Sequence, residues 1–136
     1  MKKYLLPLLG FLFVFFSMPK LLALPVSLRL FAQINAFTHW EGRWFMYLTG
    51  TIEMVNGLLF VAAWAHSRGK LSLPQGRYLK PLAALMGVGT MAGALFTELI
   101  IRPGQDLVLT LLAPTLALAC LWILNDWRNN LGTTAE

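Results

Sequence analysis

Groups able to do chemistry are scarce in this chain. A single cysteine, Cys120, stands among 136 residues. That excludes an intramolecular disulfide, a CxxC redox pair and a cysteine-based zinc site. Charge is scarce too. Asp, Glu, Lys and Arg together make up 12% of the chain, about half the share usual in soluble domains. There is no phosphate loop, no cluster with metal-ligand spacing and no Ser-His-Asp set that one side of a membrane could assemble. A soluble-type hydrolase or kinase is therefore not expected.

What is present is apolar. Hydrophobic residues reach 57% and mean hydropathy is +0.64. A chain this small has too much surface for its volume to hide that much apolar area in water, so the bilayer must serve as part of the solvent. The net charge is +5, but the basic residues stand at the ends of apolar runs. That placement suits anchoring, and it does not form the one-sided basic face of a nucleic-acid binder.

Four runs are long enough to span a bilayer, which takes roughly 20 apolar residues as helix. They are expected over 4–23, 44–65, 81–101 and 107–124, in one transmembrane domain over 1–136. The expectation is an all-α, integral membrane four-helix bundle. The N-terminal run imitates a secretory signal, with Lys2 and Lys3 before it. A retained helix is expected, because no A-x-A-like cleavage site follows. Pro7 falls in the first turn, and Pro19 is expected to kink the far end. Pro114 is the expected bend in the last span. Residues 125–136 read as a short polar tail.

Between the first two spans, residues 25–37 are too short and too polar to cross. Leu30, Phe31, Ile34 and Phe37 recur at helical spacing opposite Arg29 and Gln33. An amphipathic interfacial helix is the expectation, with a loop containing a helical turn as the alternative. Counting Lys and Arg gives Lys2, Lys3, Arg68, Lys70, Arg77, Lys80 and Arg128 on one side, seven in all. Lys20, Arg29, Arg43 and Arg102 are the four on the other. The positive-inside rule then places both termini in the cytoplasm, with a bacterial inner membrane as the expected location. His39 and His66 fall on opposite sides under this topology. They cannot share a metal, and no metal site is expected. Cys120, inside the last span, reads as a small packing residue.

The second span, Trp44 to Ala65, holds a carboxylate, Glu53, near its middle. A charge at that depth costs on the order of 3 kcal/mol, so a partner inside the bundle is expected. Gly50, Glu53 and Gly57 share one helix face, flanked by Thr49 and Asn56. The candidate polar pocket comprises Lys20, Thr49, Gly50, Glu53, Asn56, Glu98 and Arg102, opening outward beneath an aromatic rim of Trp40, Trp44 and Tyr47. Glu53 lies about 13 Å below Trp44 at 1.5 Å per residue. Lys20 would reach it only if the first helix kinks at Pro19 or water enters, and its stem could otherwise reach the headgroups. Glu98 and Arg102, four residues apart, read as a local interfacial ion pair. In the third span Gly89 and Gly93 form a GxxxG spacing that would let a neighbouring helix approach closely.

The first helix ends in F-S-M-P-K-L, Phe16 to Leu21. P-V-S-L-R-L-F-A follows from Pro25 to Ala32, then Y-L-T-G-T-I-E-M-V-N-G-L-L from Tyr47 to Leu59. In this order the segments resemble the DoxX-like family of small four-helix membrane proteins. Members show a lysine closing the first helix and a G-x-x-E-x-x-x-G-L core in the second. The matching positions here are Lys20, Gly50, Glu53, Gly57 and Leu58. Asn56 stands where many relatives have a second glycine, and the cysteine pairs of thiol-redox relatives are missing. The resemblance covers the first half and the four-helix layout. It implies a membrane subunit, since some relatives belong to quinone-linked sulfur-oxidising enzymes and others assist redox or stress-response complexes. Three functional expectations follow. The first is a non-catalytic membrane subunit or assembly partner of a redox-associated complex, in contact with the lipid bilayer and with a membrane protein partner or further copies of itself. The second is a quinone-linked oxidoreductase subunit with quinone at a Glu53-centred site. The third, ranked last, is a small proton-coupled carrier. Nucleic acid is not an expected partner.

Overall fold

The computed structural model describes residues 2–39, 43–101 and 107–132. Its elements are all helical: α1 (Lys2–Leu21), α2 (Pro25–Thr38), α3 (Trp44–Ser67), α4 (Leu79–Phe96) and α5 (Leu107–Gly132). A short 3-10 turn, Gly76–Tyr78, leads into α4, and a π turn, Thr97–Ile101, ends it. Four segments are long and apolar enough to cross a bilayer: Tyr4–Leu21, Trp44–Ser67, Gly76–Ile101 and Val108–Asn130. Their outward faces carry exposed Phe11, Phe15, Leu58, Leu85, Leu111 and Leu118. Apolar surface on that scale is untenable in water and suits lipid. The protein is an all-α integral membrane bundle.

α1 packs on α3, α3 on α4, and α4 on α5. The main core draws on Leu6, Leu9 and Phe13 of α1, Phe60 of α3, Ala83, Ala84 and Met91 of α4, and Ala113, Leu116, Cys120 and Ile123 of α5. Phe13 and Phe60 stack with ring centroids 5.8 Å apart. Small residues set how closely the helices approach. A Cβ on Gly57 would stand 2.7 Å from Val14 Cγ2 and 2.9 Å from the Gly10 carbonyl. A Cβ on Gly87 would stand 2.6 Å from Cys120 Sγ. These approaches require glycine, as in other close membrane-helix contacts. The Gly89–Gly93 pair differs from expectation. Both residues are exposed, with nothing within 4 Å of an added Cβ. They face away from the bundle because Ala84, Gly87 and Met91 occupy the inward side of α4.

α2 covers the end of the bundle where α1 stops and α3 starts. Phe31 and Ile34 pack there with Met46, flanked by Ala23, Phe45 and Ile101. The helical reading of residues 25–37 holds, and the helix extends to Thr38. Pro25 begins it, where a missing N–H does no harm. α5 departs from expectation at its C-terminus. It continues through the polar residues expected as a tail, to Gly132. Arg128 Nη2 donates to Asn125 Oδ1 at 2.9 Å and Asn130 Nδ2 to the Asp126 carbonyl at 2.8 Å. Contacts three and four residues apart favour continued helix. Pro19 and Pro114 stand inside helices that run on past them.

Candidate functional site

The deep polar site is built by α1 and α3, which run antiparallel. The seam of α1 is Gly10, Phe13, Ser17 and Lys20, at spacings of three and four, and all but Lys20 are buried. The seam of α3 is Met46, Gly50, Glu53, Asn56, Gly57 and Phe60. At one end Gly10 meets Gly57. At the other, Gly50 lies against Lys20, whose Cβ would be 2.9 Å from a Cβ added at Gly50.

This register sets the chemistry. Lys20 Nζ stands 2.6 Å from Glu53 Oε2, with the two side chains 18% and 10% exposed. It also donates to the Phe16 carbonyl at 3.1 Å. Helical side chains lean toward the N-terminus of their own helix. Lys20 is one residue from the end of α1, so this lean carries its ammonium into the bundle, toward Glu53 and away from the near end. The pair closes with α1 continuous through Pro19. The close approach at Gly50 supplies the reach that a kink was expected to provide. Beyond Lys20 the chain turns sharply. Leu24 N–H donates to the Pro19 carbonyl at 2.9 Å and Ala23 N–H to the Lys20 carbonyl at 3.2 Å. Ala23 is left-handed, at φ 50°. This Schellman-type closure fixes the backbone from which Lys20 extends.

The other candidate residues take separate places. Asn56 is fully buried against α4. With its amide oriented to satisfy both groups, Nδ2 donates to the Ala83 carbonyl at 2.8 Å and Oδ1 accepts from Gly87 N–H at 3.2 Å. Those two backbone groups are four residues apart on α4, so one amide spans a single rung of the neighbouring helix. Thr49 donates to the Met46 carbonyl of its own helix at 2.9 Å. Glu98 is not at an exposed interface, as expected, but 2% exposed. It lies in the π turn, which packs against α2 and α5. Lys20 bonds to Glu53 and to Phe16, not to Glu98. Arg102 and Trp40 lie outside the described residues. Trp44 and Tyr47 are exposed on the side of α3 away from its seam, so they do not roof the pair. Two cavities, of about 320 and 310 Å³, are lined by neither Lys20 nor Glu53.

No protein-family model, curated protein or solved structure matches this chain.

Two seam residues escaped the sequence reading, Gly10 and Ser17. Ser17 is buried beside the pair, donating to the Val14 carbonyl at 2.7 Å, with Met54 Sδ at 3.8 Å. The available signal was their spacing from Lys20, ten and three residues back on one helix face. Among the described residues no three His, Cys, Asp or Glu side chains are grouped to hold a metal. His66 instead meets the Leu71 carbonyl through Nδ1 at 2.9 Å, with Gly76 against its ring. It ties the α3–α4 connector to the end of α3. His39 caps α2 in a left-handed conformation.

Chemically, the site is a closed ion pair between two tightly apposed helices. A carboxylate and an ammonium at this distance neutralise each other and share a charge-assisted hydrogen bond. Each group relieves the desolvation the other would suffer alone.

Proposed function

We propose that the protein is a non-catalytic membrane subunit or assembly partner of a redox-associated complex, in which the Lys20–Glu53 pair holds α1 against α3. Both termini lie on the cytoplasmic side of a bacterial inner membrane in this reading, in keeping with seven Lys and Arg against four. The observation that carries the structural role is the 2.6 Å contact itself, with Lys20 further bonded to Phe16. The association with redox complexes comes from the DoxX-like pattern at Lys20, Gly50, Glu53, Gly57 and Leu58.

One feature favours a second reading, a quinone-linked subunit. The lysine keeps 18% of its side chain exposed, which leaves the pair partly open on one side. Melting of the detergent-solubilised protein separates the two. Wild type and Glu53→Gln are compared with and without a short-chain quinone. The supporting subunit predicts earlier melting of Glu53→Gln and no quinone effect on either protein. A quinone-dependent stabilisation of wild type that Glu53→Gln loses, with the fold intact, would transfer the site to quinone binding.

A further inference from the structure

A cavity of about 320 Å³ opens between α2 and the start of α3. Leu28, Phe31, Ala32 and Asn35 form one wall, and Arg43 and Met46 the other. The α2 residues are three, one and three apart, which sets them along one helix face. Phe31 and Met46 close the floor, 5% and 1% exposed, and the accessible apolar wall is half-buried Leu28 and exposed Ala32. The rim is polar. Arg43 is exposed there, and the Asn35 amide shares the opposite wall.

Depth gives this arrangement its meaning. Arg43 immediately precedes Trp44, the first residue of a segment able to cross the bilayer. Its guanidinium therefore stands at the level of the headgroups, where basic residues flanking a span are found. A guanidinium engages phosphate oxygens through two parallel hydrogen bonds. A free phosphate would leave the apolar wall of Leu28 and Ala32 unused. A wholly apolar molecule would leave the rim unused. A lipid matches both, and the membrane supplies it at the mouth of the cavity.

We infer that this cavity seats one anionic phospholipid, its phosphate on Arg43 and part of an acyl chain against Leu28 and Ala32. The volume lies at the lower end of the range for ligand pockets, about 300–1,000 Å³. It suits a headgroup and a length of chain, not a whole lipid. The site is independent of the Lys20–Glu53 pair.

Native mass spectrometry of the full chain in non-ionic detergent, titrated with phosphatidylglycerol or phosphatidylcholine, tests the assignment. Wild type is expected to retain one phosphatidylglycerol in preference to phosphatidylcholine. Arg43→Gln should weaken phosphatidylglycerol about tenfold, the loss of one charge-assisted contact, and erase the preference. Ala32→Trp, which fills the cavity from an exposed position, should lose both lipids. Arg29→Gln, which removes an exposed charge from α2 outside the cavity, should bind as wild type does. Circular dichroism checks each fold. If Ala32→Trp misfolds, the comparison of Arg43→Gln with Arg29→Gln decides alone. The inference is overturned if Arg43→Gln binds unchanged, if Arg29→Gln weakens binding equally, or if wild type takes both lipids alike. Displacement of the lipid by inorganic phosphate would make this a small-anion site. A wild-type dimer that Ala32→Trp dissolves would assign the face to a second copy of the chain. Either result also overturns the lipid assignment.

Discussion

Replacing Lys20 by methionine strands the Glu53 carboxylate between α1 and α3, where its side chain is 10% exposed. Removing one member of a buried ion pair costs about 3–5 kcal/mol. Lys20→Met should therefore lose about 3–5 kcal/mol. Glu53→Leu should cost less, about 1–2 kcal/mol, because the remaining lysine is not trapped. Its ammonium keeps the Phe16 carbonyl, and its stem can swing to the headgroups. The double variant replaces a buried pair with apolar volume, a change that is often neutral, and should fall within about 1 kcal/mol of wild type. SDS-driven unfolding in mixed micelles, followed by far-UV circular dichroism, gives all four stabilities. Additive single losses in the double variant, or a Lys20→Met cost no larger than that of Glu53→Leu, would refute the closed-pair account.

The glycines give a matched contrast. Gly57→Ala should lose about 1–3 kcal/mol through overpacking, since its Cβ meets α1 backbone as well as Val14 Cγ2. Gly89→Ala, with open space around its Cβ, should be neutral or gain up to about 1 kcal/mol from helix propensity, and the same unfolding assay reads both. Asn56→Leu should cost about 1 kcal/mol, two interhelical hydrogen bonds to α4 at about 0.6 kcal/mol each; a stability equal to wild type would show that the amide adds nothing to packing. Cys120 is fully buried, so a maleimide should label it only once SDS unfolds the bundle, and rapid labelling of the folded protein would contradict the α4–α5 contact.

Parts of the site could be read before any coordinates. Gly50, Glu53 and Gly57 repeat at three and four, and helix geometry alone places them on one face. Their burial follows from the cost of a carboxylate in lipid. The partner was less legible. Lys20 stands near a helix end, where a lysine ordinarily reaches for headgroups. Its inward course depends on the antiparallel register of α1 on α3 and on the missing side chain at Gly50. Asn56 is adjacent to the stripe in sequence, yet it serves α4. One residue is about 100° of helix, enough to turn a side chain toward a different neighbour. Glu98 shows the same limit. Its place near the end of the span suggested an exposed carboxylate, but the π turn buries it.

The class of protein and its spans are legible in the residues alone, because transfer of apolar side chains into a bilayer is summed residue by residue and needs no knowledge of neighbours. So is the need for Glu53 to face protein, since lipid offers a carboxylate nothing. Helix packing settles which side chain meets it, which glycines are pressed between helices, and that Gly89 and Gly93 are not among them. Those outcomes depend on helix register and rotation. Many registers bury similar apolar area in a membrane, so they are distinguished by close steric contact between residues far apart in the chain.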